Sequence, residues 1–136
     1  MPQTEFDLVV VTPEKTAISE KVVSVTIPAS DGYIGIWAHH APLMTTMVIG
    51  SLEYITADGV HKVAAVTRGF VEVADNKVTV LADTAELQDD INAERAKQAL
   101  GRARERLAKG DPDIDLDRAR EAYERAKNRL NVIENK

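Results

Sequence analysis

In the stretch INAERAKQALGRARERL, residues 91–107, Arg95, Arg102 and Arg106 recur at spacings of 7 and 4. At about 100° per residue, a helix would hold them within roughly 20° of one line. The stretch IDLDRAREAYERAKNRL, residues 114–130, repeats the device with Arg118, Arg125 and Arg129. Guanidinium groups are planar, permanently charged and bidentate, so a cationic line of this kind suits phosphate groups. Each line flanks an apolar stripe on the same side, so two such helices folded together would bring arginines from both around one anion. A plainer reading is two solvated faces, with Glu94, Glu105, Asp117, Glu121 and Glu124 forming weak exposed pairs. Nucleic acid fits less well, because residues 89–136 hold 12 basic and 11 acidic side chains, a net +1, and Tyr123 is their one aromatic side chain.

Other chemistry is sparse. The chain has no cysteine, which excludes disulfides, thiolate catalysis and cysteine zinc sites. His39 and His40 are neighbours in AHHAPL, where adjacent side chains diverge, and His61 stands beside a turn, so a metal shell is not expected. SDGYIG, residues 30–35, has two glycines but no following lysine, and reads as a turn and not a phosphate loop. Asp89 and Asp90 precede a helix and suit the positive end of its dipole. No catalytic constellation emerges, and the chain is expected not to be an enzyme.

The elements that must position the arginines follow from charge and periodicity. Residues 1–88 hold 5 basic and 11 acidic side chains, a net −6, and eight of the nine arginines lie beyond them. A boundary is placed in TAELQDD, giving a β domain over 1–86 and a helical unit over 87–136. EFDLVVVT, KVVSVTIP, LEYIT, HKVAAVT, FVEV and KVTVLA are short runs rich in Val, Ile, Thr and Tyr. Turn signals at ADG and ADN make residues 52–67 and 70–82 two hairpins, and the set predicts an antiparallel β-sandwich or flattened barrel. Beyond it the period changes. Ala93, Ala96, Leu100, Ala103 and Leu107, then Leu116, Ala119, Tyr123, Ala126, Leu130 and Ile133, step by three and four. Asn92 and Asp115 stand at N-cap positions, and KGDPD supplies a helix stop, so an antiparallel two-helix hairpin is expected. Its alanine-rich seam buries little area, which makes it a marginally stable, movable part. No apolar run reaches the roughly 20 residues of a membrane span, and the N-terminus lacks the pattern of a signal peptide, so a soluble protein is expected.

IPASDGYIGIWAHHAPLMTTMVIGSLEY, then TRGFVEVADNKVTVLADTAEL, then the two-helix tail, resemble the epsilon subunit family of the rotary F-type ATP synthase. The resemblance covers essentially the whole chain. It implies a noncatalytic central-stalk subunit whose sandwich grips the gamma subunit and rests on the c-ring, with Asp31, Gly32 and Tyr33 facing the ring. It further implies a hairpin that either folds or extends among the alpha, beta and gamma subunits, where it obstructs ATP hydrolysis. The setting implied is the cytoplasmic side of a bacterial cell membrane, with peripheral attachment, coupled to proton transport. A free-standing ATP-sensing module is the alternative reading.

Some bacterial members of that family bind ATP on the folded hairpin through an Ile/Leu-Asp-x-x-Arg-Ala motif. INAERA resembles it, with Ile91, Arg95 and Ala96 agreeing and Asn92 replacing aspartate. The further matching positions are Glu86, Arg102, Arg125 and Arg129, which leaves Arg106 and Arg118 outside the set. ATP is thus the expected regulatory ligand. Asn92 should cap the helix as aspartate would, while the lost carboxylate removes a charge-assisted acceptor.

Overall fold

A computed structural model describes residues 4–134, apart from 111 and 114. The chain divides between Leu87 and Gln88 into two compact units. In the first, nine strands run β1 Phe6–Val11, β2 Thr16–Ala29, β3 Gly32–Ile36, β4 Leu43–Met47, β5 Gly50–Thr56, β6 His61–Val66, β7 Gly69–Ala74, β8 Lys77–Ala82 and β9 Ala85–Leu87. The hairpins β5–β6 and β7–β8 form where the turn signals put them. Asp75 and Asn76 both take positive φ, 51° and 59°, as a tight turn between twisted strands requires.

Closure depends on β2, which is 14 residues long. Its first half pairs with β1, its middle with β5, and its end with β3 and β4. Because β4 pairs with β7, β7 with β8 and β8 with β1, the strands return to their start as a flattened barrel. The β1–β8 pairing is parallel, and among the described residues every other pairing is antiparallel. The sandwich expected from the sequence is therefore present, with one parallel seam that its hairpins did not announce.

Alternation puts one face of each strand inside. Phe6, Leu8 and Val10 of β1, Leu52 and Tyr54 of β5, and Val78 and Val80 of β8 meet in one core. Each fully buried large side chain contributes about 1.5–3 kcal/mol. Tyr54 is also a polar anchor: its hydroxyl donates to Glu20 Oε2 at 2.9 Å, and Lys62 Nζ donates to Glu20 Oε1 at 3.1 Å. Burial pushes the Tyr54 pKa up, and the carboxylate of Glu20 pushes it the same way.

The strands β3, β4 and β9 and the first part of β2 were absent from the strand reading of the sequence. SDGYIG is a turn only at Ser30 and Asp31, and Gly32 already begins β3, pairing with Ala29. Two glycines in five residues depress strand propensity, and pairing to the long β2 overrides it.

In the second unit Gln88–Asp90 form a single 3₁₀ turn, followed by α1 Ala93–Lys109 and α2 Leu116–Glu134. Asn92 caps α1 as expected: its side chain accepts a bond from the backbone N–H of Arg95 at 3.0 Å. Asp115 caps α2 in the same way, accepting from Arg118 N–H at 3.2 Å. Gly110 closes α1 in the left-handed region, φ 59°. The helices pack on one another over Ala96, Ala103, Ala119 and Ala126, all fully buried. At the far end the fully buried residue is Val132, while Ile133 is half-buried. There Gln88 Nε2 donates to the Val132 carbonyl at 2.7 Å, and the 3₁₀ turn packs on the end of α2. Ala93 and Leu116, expected in the seam, are exposed because each is the first residue of its helix.

Candidate functional site: the arginine face of the hairpin

The hairpin has two flanks on either side of its alanine seam. On one, Arg104 of α1 stands over the Tyr123 ring of α2, its guanidinium carbon 6.0 Å from the ring centre. Lys127 reaches the same ring at 6.0 Å. Arg104 follows the buried Ala103, and Tyr123 lies on the corresponding side of Ala126. Their contact therefore places the trailing flanks of both helices on one face. The leading flanks share the opposite face by the same geometry, and every rail arginine is there: Arg102, Arg125, Arg95 and Arg118 each precede a buried alanine, with Arg106 and Arg129 one turn on.

The Arg104–Tyr123 contact also puts the middle of α1 beside the middle of α2. Arg102 and Arg125 each lie two residues from a contacting partner, toward the same end of the hairpin, and so are near one another along it. By the same antiparallel count Arg129 is the rail arginine of α2 nearest Arg95, and Arg118 the one nearest Arg106. Packed helix axes lie about 8–10 Å apart. The six arginines thus form three rungs across the hairpin.

Their surroundings differ. Arg95, Arg102, Arg106 and Arg118 are exposed, whereas Arg125 and Arg129 are half-buried. Arg125 Nη1 lies 3.7 Å from Glu121 Oε2, a half-exposed i,i+4 pair of small energetic weight. Among the described residues no carboxylate forms an ion pair with Arg95, Arg102, Arg106 or Arg118. Of the remaining residues expected at the site, Ala96 is buried in the seam and Ile91 is half-buried just before the cap. Asn92 is exposed, with its oxygen engaged at the helix end. Glu86 lies on β9, opposite Ala65 of β6.

The sandwich offers a surface of another kind. Phe70 and Leu81 face each other across β7 and β8 and are 57% and 53% exposed, beside Val48 in a cleft that also includes Val11 and Thr12. Both lie in runs that read as strands, FVEV and KVTVLA, whose alternation alone does not put them on one outward face. Their register across the ADN turn carried that signal. The histidines do local work: the His39 backbone N–H donates to Asn76 Oδ1 at 2.8 Å, and His40 Nδ1 lies 2.7 Å from the Ala41 carbonyl. Among the described residues there is no cluster suited to a metal ion, and no helix is long and apolar enough to cross a membrane.

A sequence model described as the ATP synthase Delta/Epsilon chain beta-sandwich domain matches residues 5–88, and one described as its long alpha-helix domain matches residues 89–134. The chain belongs to the ATP synthase epsilon chain family. It is 46% identical over 112 residues to the epsilon chain of Natranaerobius thermophilus, covering 82% of this chain and 79% of that one. It is 51% identical over 108 residues to that of Carboxydothermus hydrogenoformans, covering 79% and 80%. A chain of the Euglena gracilis mitochondrial ATP synthase, solved as OSCP, F1 and c-ring, shares the fold with a TM-score of 0.69 at 22% identity, covering 96% of this chain and 78% of that one. The epsilon chain family is a noncatalytic component of ATP synthase, and the sandwich-plus-hairpin order is the family's own.

Proposed function

We propose that the chain is the central-stalk epsilon subunit of a proton-translocating F-type ATP synthase. Its sandwich grips the gamma subunit and rests on the c-ring, and its hairpin restrains ATP hydrolysis by the alpha and beta subunits. The reading is carried by the two family domains matched in order along the chain. It is supported by the exposed Phe70–Leu81 pair, which is apolar surface of the kind that partners cover. The location that follows is peripheral, on the cytoplasmic side of a bacterial cell membrane.

The regulatory ligand we assign is ATP, held by the folded hairpin through Arg95, Arg102, Arg125 and Arg129, with Glu86, Ile91, Asn92 and Ala96 at the remaining matching positions. Two of three arginine rungs converge there, and the bidentate fork of each fits a triphosphate. Asn92 in place of aspartate removes one charge-assisted acceptor, worth about 1.5–3 kcal/mol or one to two decades of affinity. Ligand bound only to the folded hairpin stabilises it by mass action, by about 2.7 kcal/mol at 100 times the dissociation constant.

The test is hydrolysis by a purified alpha–beta–gamma assembly with and without the chain, at low and high ATP. The chain should co-elute with the assembly and slow hydrolysis, less so at high ATP. Arg95→Ala with Arg125→Ala should abolish the dependence on ATP while leaving co-elution intact. A chain that fails to co-elute sinks the subunit reading. Inhibition indifferent to ATP sinks only the switch.

A further inference from the structure

Residues 93–107 and 116–130 repeat one another, and in an antiparallel pair such a repeat creates an approximate two-fold axis perpendicular to the hairpin. The axis exchanges Arg95 with Arg118, Arg102 with Arg125 and Arg106 with Arg129, and it exchanges the Asn92 cap with the Asp115 cap. Applied to the four arginines assigned to ATP, it returns Arg118, Arg125, Arg102 and Arg106. The third rung, Arg106 and Arg118, is therefore to the turn end of the hairpin what Arg95 and Arg129 are to its open end.

Arg106 and Arg118 are exposed and, among the described residues, form no ion pair with a carboxylate. Asp115 caps α2, and Asp117 lies 3.9 Å from Arg120 on the opposite flank. Cations held this close repel across a separation comparable to the Debye length of about 8–10 Å, and an anion bridging them relieves that repulsion. We propose that the hairpin carries a second oligophosphate site, the two-fold mate of the first, with Arg106 and Arg118 as its own donors and Arg102 and Arg125 shared. Its ligand class is an anion of two or more linked phosphates, recognised by guanidinium forks without a base. The site stands on the rung geometry and does not require that ATP bind at the other end.

The probe is inorganic tripolyphosphate, titrated calorimetrically into the full chain at low salt. Arg95→Gln with Arg129→Gln removes the open-end rung and preserves helix propensity. This variant should still bind tripolyphosphate. Adding Arg106→Gln and Arg118→Gln should weaken that binding at least about tenfold, the loss expected for charge-assisted bonds to two guanidinium groups. Adding Arg104→Gln and Arg120→Gln instead removes equal charge from the opposite flank and should leave the affinity little changed. Circular dichroism confirms that each variant keeps its helices. No binding to the first variant, or equal weakening by the two second-stage pairs, overturns the site. Tripolyphosphate binding without ATP binding would refute the ATP assignment alone.

Discussion

The sandwich closes over Phe6, Leu8, Ile27, Leu52 and Tyr54, whereas the hairpin closes over Ala96, Ala103, Ala119 and Ala126. Both interiors are fully buried, yet they differ greatly in the apolar area removed from water. At about 25 cal/mol per Å² the sandwich gains far more from each residue it orders. Helices of 17 and 19 residues are near the marginal length for isolated stability in water, so the hairpin relies on a seam that gives it little. One chain thus joins a unit built to stay folded to a unit built near balance, and units near balance are the ones that move in regulation.

The sharpest way to break this contrast is in the sandwich core. Leu52→Ala leaves a cavity beside Tyr54 and should cost about 2–5 kcal/mol. Denaturant unfolding should show its major transition shifted, with the hairpin's helical signal changed little before it. If the loss is under about 1 kcal/mol, the core is far more compliant than its burial implies.

A smaller effect is expected in the seam. Ala126 is completely buried where the helices meet, so Ala126→Leu forces them apart and should cost about 1–3 kcal/mol. That loss is comparable to all the hairpin can gain from its alanines. Amide exchange should accelerate throughout α1 and α2 and stay unchanged in β5 and β6. Faster exchange in the sandwich as well would mean that the two units do not fold separately.

Legibility in the sequence divides along the same line. The hairpin could be read almost residue by residue, because its caps, its αL glycine and its three–four spacing are local signals. Asn92, Asp115 and Gly110 all do what their types require. The structure departs from that reading at the ends, where Val132 and not Ile133 is fully buried, beside a turn held by Gln88 that no periodicity encodes. The sandwich was legible only where a turn joins consecutive strands. β3 and β4 are defined by pairing to β2 and β7, and the parallel β1–β8 seam joins segments some 70 residues apart. Such pairings depend on the whole topology, and no short window contains them. The arginine rails were visible as lines in the sequence. Their arrangement as rungs needed the Arg104–Tyr123 contact, which fixes which flanks share a face.

The smallest effect separates folding from binding at one residue. The Asn92 oxygen accepts the Arg95 N–H at 3.0 Å, a bond that an aspartate oxygen makes equally well. Asn92→Asp should therefore leave the helical melt unchanged or raise it slightly, since a negative charge at a helix start adds about 0.3–1 kcal/mol. Asn92→Ala should lower hairpin stability by about 1 kcal/mol, for want of any acceptor at the cap. Under the proposed ATP assignment the two substitutions also part in binding: the aspartate variant gains affinity by about tenfold or more, and the alanine variant does not. Equal ATP affinity in Asn92→Asp and the natural chain would confine position 92 to capping. The rails would then have to hold phosphate without help from the residue that starts their helix.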